Sequence, residues 1–186
     1  KHTDNIVVIK NNSNFDLKET DGVITDQDDL PIMLLFADCT PVILFEPQKR
    51  ILGVIHAGWR GTAKGIVSKA VKIFIEEFNA APELIKAAIG PAIGQCCYPV
   101  SEDVAEQLRS SIKKDCDNIF IKAENTGKIN VDLKKLNAQQ LVESGVLNID
   151  VMGYCTSCNN SLFYSYRADN GKTGRHCAVA SIKGQR

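Results

Sequence analysis

The chain of 186 residues is 44% hydrophobic and 24% charged, enough apolar material for one sizeable core and too short for two independent ones. Lysine plus arginine and aspartate plus glutamate stand at 22 each, so no global field draws the chain to nucleic acid or an anionic membrane surface; no apolar run approaches the roughly 18 residues of a membrane span. Seven cysteines, an odd number in an ordinary aliphatic background, argue against a secreted disulfide scaffold and for a reducing cytoplasm.

One domain over residues 1–186 is therefore expected. The opening Lys1-His2-Thr3-Asp4 is neither a signal peptide nor an initiating end, so an upstream segment is expected to be missing. Residues 5–10 are rich in β-branched side chains and read as a strand, with His2 just ahead of them; a terminal histidine is ordinarily a solvated imidazole. Residues 11–20 read as a loop, 21–25 as a short strand and 26–29 as an acidic turn feeding the apolar run 31–37, which delivers Asp38 and Cys39.

Two apolar runs, 41–46 and 51–55, flank the turn-like Pro47-Gln48-Lys49-Arg50 and form a β-hairpin signature. A tight turn about Pro47-Gln48 sets Cys39 opposite His56, at about 4.5–5.5 Å between Cα atoms, within reach of one shared ion or proton. Beyond His56, Gly58 and Gly61 permit close approach of the backbone, and Arg60 is a fixed cation suited to an anion.

Residues 61–79 carry Ile66, Val67, Ala70, Val71, Phe74, Ile75 and Phe78 at helical spacing, and predict one helix whose first turn follows directly on the 56–61 block. A buried strand over 84–89 runs into the turn-rich Gly90-Pro91-Ala92-Ile93-Gly94. Ser101 caps a helix over 101–114, residues 118–122 read as a strand, Asp132 caps a helix that stops at Gly145, and strands follow at 148–153 and 177–182. Phe163, Tyr164 and Tyr166 alternate as on a half-buried strand, or form a shelf for a planar ligand beside Arg167; Trp59 carries the same ambiguity. Arg175 and His176 read most simply as surface residues. Cys155-Thr156-Ser157-Cys158 is a lone C-x-x-C and Cys96-Cys97 an adjacent pair, so neither matches a four-ligand zinc site alone, and both read first as small, partly buried thiols.

Taken together, Ala37-Asp38-Cys39 with Pro41, His56-Ala57-Gly58-Trp59-Arg60-Gly61, Gly90–Gly94, residues 163–167 and Thr173-Gly174-Arg175 resemble the YfiH-type laccase-domain family. Members are also called multicopper polyphenol oxidoreductases and are now regarded as purine nucleoside phosphorylases. The likeness covers essentially the whole chain. It implies a zinc or copper site held by His2, Cys39 and His56, with Cys39, His56 and Arg60 as catalytic residues and a purine nucleoside and phosphate as partners. Phosphorolysis to base and ribose 1-phosphate is the implied reaction, with adenosine deamination as a side activity.

Two histidines and a cysteine suit zinc chemically, and three protein ligands leave a fourth position open. Three histidines in all are too few for the copper clusters of true laccases. A rival reading makes Cys39 the nucleophile and His56 the base of a metal-independent cysteine hydrolase or deamidase. The expected fold is α+β: a layered, mixed, largely antiparallel β-sheet core flanked by at least three helices, with the site at strand ends and loops.

Overall fold

Strands 40–46 and 51–57 are apolar at nearly every position, the pattern of strands covered on both faces. The computed structural model, which describes residues 3–10, 16–114, 118–123 and 127–184, puts them at the centre of the molecule. The chain forms β1 (Ile6–Ile9), β2 (Gly22–Thr25), β3 (Ile32–Phe36), β4 (Thr40–Glu46) and β5 (Ile51–Ala57). Helices α1 (Trp59–Ala63) and α2 (Ile66–Phe78) follow, then β6 (Lys86–Ile89), β7 (Pro99–Val100), α3 (Glu102–Arg109), β8 (Phe120–Lys122) and β9 (Ile129–Val131). Helix α4 (Leu133–Glu143), β10 (Asn148–Val151) and β11 (His176–Ala180) complete the order.

The main sheet runs β1-β2-β5-β4-β6-β10, parallel at its two outer pairs and antiparallel between them. A β3–β11 pair and a β7-β9-β8 sheet, all antiparallel, accompany it, so the fold is the layered, mixed α+β arrangement that the sequence predicts. Alternate side chains of β4 and β5 enter different cores. Val42, Leu44, Ile51 and Ile55 pack on Val67, Ala70 and Phe74 of α2, whereas Ile43, Phe45, Leu52 and Val54 meet Ile32 and Leu34 of β3 and Ala178 of β11. Each aliphatic side chain fully buried there contributes about 1.5–3 kcal/mol. A third core, including Leu108, Val131 and Leu136, joins α3 and α4 to the small sheet. Among the described residues no helix is long and apolar enough to cross a membrane.

Several sequence expectations change here. The hairpin register is shifted by two: Pro41, and not Cys39, stands opposite His56. The cause lies in the turn, which spans four residues because the buried Glu46 carboxylate accepts the Gln48 and Lys49 N–H groups and Arg50 takes φ +57°. A shift of two preserves the face on which each side chain lies. The long helix does not begin beside His56, because Gly65 in the left-handed region (φ +70°) separates α1 from α2. Its free N–H groups therefore lie beyond the 56–61 block.

Helix α3 ends at Arg109, where the Ser110 and Ser111 hydroxyls donate to the carbonyls of Gln107 and Leu108. Residues 163–167 form no strand but a bend at Phe163 and an irregular stretch that enters a turn at Tyr166. There Ser165 is buried, its Oγ accepts the Ala168 N–H and its carbonyl accepts the Asp169 N–H, so local bonds close a turn in place of a ladder.

Candidate active site

The penultimate residue of β5 is a histidine whose neighbour across the sheet is the residue just ahead of β2. The His56 N–H donates to the Asp21 carbonyl (2.7 Å), and His56 Nδ1 lies 3.0 Å from Asp21 Oδ1. Both side chains are nearly buried, at 12% and 10% exposure, so the pair is little screened by solvent. Thr3 donates to the other Asp21 oxygen through both its N–H and its hydroxyl. With the carboxylate at Nδ1, an ion or a transferable proton meets His56 at Nε2, the usual arrangement of a histidine oriented by a carboxylate. The ring packs 5.1 Å from that of Phe36, which fixes its plane from the opposite layer.

Asp38 precedes Cys39 and holds φ +81°, a conformation that costs a non-glycine residue on the order of 1–3 kcal/mol. Three bonds hold it there: Thr156 Oγ1 donates to Oδ1 (2.6 Å), the Arg167 N–H to Oδ2 (2.7 Å) and the Ile93 N–H to the Asp38 carbonyl (2.9 Å). The bend carries Cys39 to the wall of a cavity of about 590 Å³ that Asp21, His56, Trp59, Arg60, Tyr98, Tyr166, Arg167 and Arg175 also line. Burial pushes the Cys39 thiol up to about 12, helped by the charges of Asp38 and Asp21 and opposed by Arg175. Such a thiol stays neutral until a cation takes the place of its proton.

Two of the cavity's arginines lie over rings, Arg60 on Trp59 (4.3 Å) and Arg167 on Tyr98 (5.3 Å), and Arg175 donates to the Thr173 and Gly174 carbonyls. The cavity thus combines fixed positive charge with aromatic surface, and its volume is that of a small-molecule site.

Of the residues that the sequence nominates, Cys39, His56 and Arg60 share this cavity; His2 lies outside the described residues. Arg175 is exposed yet also lines it. His176 is not a plain surface residue, because both ring nitrogens are buried without a partner among the described residues and the ring packs between Phe36 and Phe163. Burial lowers its pKa, with Asp38 opposing. Tyr166 reaches the cavity, whereas Tyr164 is not among its lining residues. Asp21 escaped the sequence reading; its only signal there was a carboxylate at the head of a fully buried strand.

A second group forms where the sequence shows none. The sulfurs of Cys96, Cys97, Cys155 and Cys158 lie within 4.8 Å of one another, a cluster able to hold a metal ion. The lone C-x-x-C therefore has a partner pair, the adjacent cysteines of the tight turn at Gln95–Cys97. Although burial raises the Cys155 thiol, the N–H groups of Cys158 and Gly94 that bond to its sulfur bring it down to about 7.

Residues 1–183 match the family model described as multi-copper polyphenol oxidoreductase laccase. Purine nucleoside phosphorylase YlmD of Bacillus subtilis is 40% identical over 171 residues, covering 90% of this chain and 60% of that protein. A protein named adenosine deaminase RL5, from an unknown prokaryotic organism, is 34% identical over 161 residues, covering 86% and 61%. The crystal structure of the Bacillus licheniformis hypothetical protein YfiH superposes with a TM-score of 0.91 at 38% identity, over 98% of this chain and 72% of that one. The chain spans about 60% of the length of the curated relatives just named.

Proposed function

The chain belongs to the multi-copper polyphenol oxidoreductase laccase family, and on that premise we propose that it is a zinc-dependent purine nucleoside enzyme, cleaving adenosine- or inosine-type nucleosides with phosphate to base and ribose 1-phosphate. The observation that carries the reading is a single cavity shared by a thiol, a carboxylate-held imidazole and three arginines. Relatives named purine nucleoside phosphorylase support the substrate class.

Cys39, His56 and His2 would hold the metal, with copper as the other ion this donor set accepts. A carboxylate at Nδ1 of a ligating imidazole and a neighbouring half-buried thiol fit such an ion, and Thr3 bonded to Asp21 supports His2 as the third ligand. Zinc bound there supplies Lewis acidity. Arg60, Arg167 and Arg175 offset the charge of phosphate and hold it against the sugar, and Trp59, Tyr98 and Tyr166 offer faces for a purine. His56, with its Nδ1–H held on the Asp21 carboxylate, keeps Nε2 free of a proton and available to the metal. The same site serves deamination of adenosine as a side activity, the reaction in the name of one relative.

Release of base from adenosine and from inosine, measured with and without phosphate, tests the reading. Turnover is expected to require phosphate, to stop when a chelator strips the metal and to return with zinc. Phosphate-independent turnover that survives stripping would overturn it in favour of a cysteine hydrolase with Cys39 as nucleophile and His56 as base.

A further inference from the structure

Four clustered thiols, two exposed, one half-buried and one buried, lie apart from the cavity and have no part in the reaction proposed above. Cys158 Sγ lies 3.6 Å from Cys96 Sγ and 3.4 Å from Cys97 Sγ, and all four sulfurs fall within 4.8 Å of one another. A tetrahedral zinc with bonds of about 2.3 Å requires sulfurs about 3.8 Å apart. Those two spacings fall just below that value and the others stay within 4.8 Å, so little movement is needed to close a shell of four.

The surroundings are those of a ligated sulfur. Cys155 Sγ accepts the Gly94 N–H (3.1 Å) and the Cys158 N–H (3.5 Å), the latter reaching back across the C-x-x-C turn. A Cβ at Gly94 would stand 2.9 Å from Cys155 Cβ and 3.2 Å from the sulfurs of Cys155 and Cys96, so only glycine lets the backbone approach this closely. Lys134, anchored on the carbonyls of Met152 and Tyr154 at 2.8 Å each, sets a cation near Cys155 and Cys96 and offsets the net negative charge of a four-thiolate zinc.

We propose that Cys96, Cys97, Cys155 and Cys158 bind one structural zinc ion in a closed four-thiolate site, separate from the cavity. Binding releases the thiol protons and forms four sulfur–zinc bonds with no change of oxidation state. With no open position the ion does no chemistry of its own and acts as a clasp. It ties the loop bearing Ile93 to the loop bearing Thr156, the two residues that hold Asp38 from its carbonyl and its carboxylate. The clasp thereby braces the bend that presents Cys39.

Zinc analysis of the Cys39→Ser/His56→Ala protein, purified under reducing conditions, isolates this site from the first. One zinc per chain is expected to remain, to disappear when Cys158→Ser is added, and to persist when Cys97→His is added instead. Cobalt in place of zinc should give the intense sulfur-to-metal absorption of four thiolates in the wild type and a weaker one in Cys97→His. Hydrogen exchange at the Ile93 and Arg167 amides is expected to quicken roughly tenfold or more in Cys158→Ser. The proposal is overturned if the Cys39→Ser/His56→Ala protein holds no zinc, if zinc survives loss of Cys158, or if these cysteines are found joined as disulfides. Should Cys158→Ser not fold, the cobalt spectrum of Cys97→His decides: identity with the wild type would exclude a four-thiolate site.

Discussion

The cavity at the end of β5 and the cysteine cluster beside the 90–97 loop both gather metal-binding side chains, yet they are built on opposite plans. In the cavity one sulfur and one imidazole line the wall, a carboxylate orients the ring, and three arginines and several aromatic faces surround them. The cluster has four like donors, two of them exposed, with backbone amides bonded to one sulfur and a lysine nearby. Few mixed donors beside an open volume leave room for a substrate, whereas four thiolates fill a tetrahedron and leave none. As proposed, one site reacts and the other holds it in shape, and both sets of hydrogen bonds reach Asp38.

The sharpest break in the comparison comes from His56→Ala and Cys39→Ser. Each is expected to lower turnover on the order of 10²–10⁴-fold and to remove the cavity's zinc while leaving the cluster's in place, as measured by steady-state kinetics and elemental analysis. Asp21→Asn comes next, because it keeps the shape and removes the charge that orients the imidazole. Its expected cost is about 10–100-fold in activity or metal affinity, read by metal titration. Thr156→Val then tests the bridge between the regions: it leaves Asp38 Oδ1 without its donor at a fully buried position, at about 1–3 kcal/mol in chemical denaturation.

The smallest effect is expected at Asp4, whose carboxyl is held at about 2 by hydrogen bonds from Lys64 and Lys69. A carboxyl lowered from its ordinary value near 3.8 adds stability above that value and loses it as the pH falls towards 2. This is a surface pair, so Asp4→Asn should cost under about 1 kcal/mol at neutral pH, and the difference from wild type should vanish near pH 2 in pH-dependent melts.

Local chemistry was legible in the sequence, and distant meetings were not. Cys39 and His56 lie either side of one hairpin, so a short apolar pattern sufficed to bring them to one end of a sheet, even though the turn held by Glu46 moved the register by two. Asp21 joins them only through the β2–β5 pairing, which connects residues 35 apart and leaves no trace in spacing. The four cysteines are harder still, because an adjacent pair matches no familiar ligand spacing and its partners lie some sixty residues on. Residues 163–167 misled for a different reason: their alternation is that of a strand, but the side chain and carbonyl of Ser165 close a turn that places the Arg167 N–H on Asp38. The helix stripe from Ile66 to Phe78 was plain, and only its start was hidden, in the left-handed conformation of Gly65.

An anomalous difference map from crystals of the zinc-loaded protein, recorded at the zinc absorption edge, tests the division into two sites most directly. The account predicts two peaks, one in the cavity between Cys39 and His56 and one centred among the sulfurs of Cys96, Cys97, Cys155 and Cys158. A map lacking either peak, with the protein folded and zinc present, would contradict it.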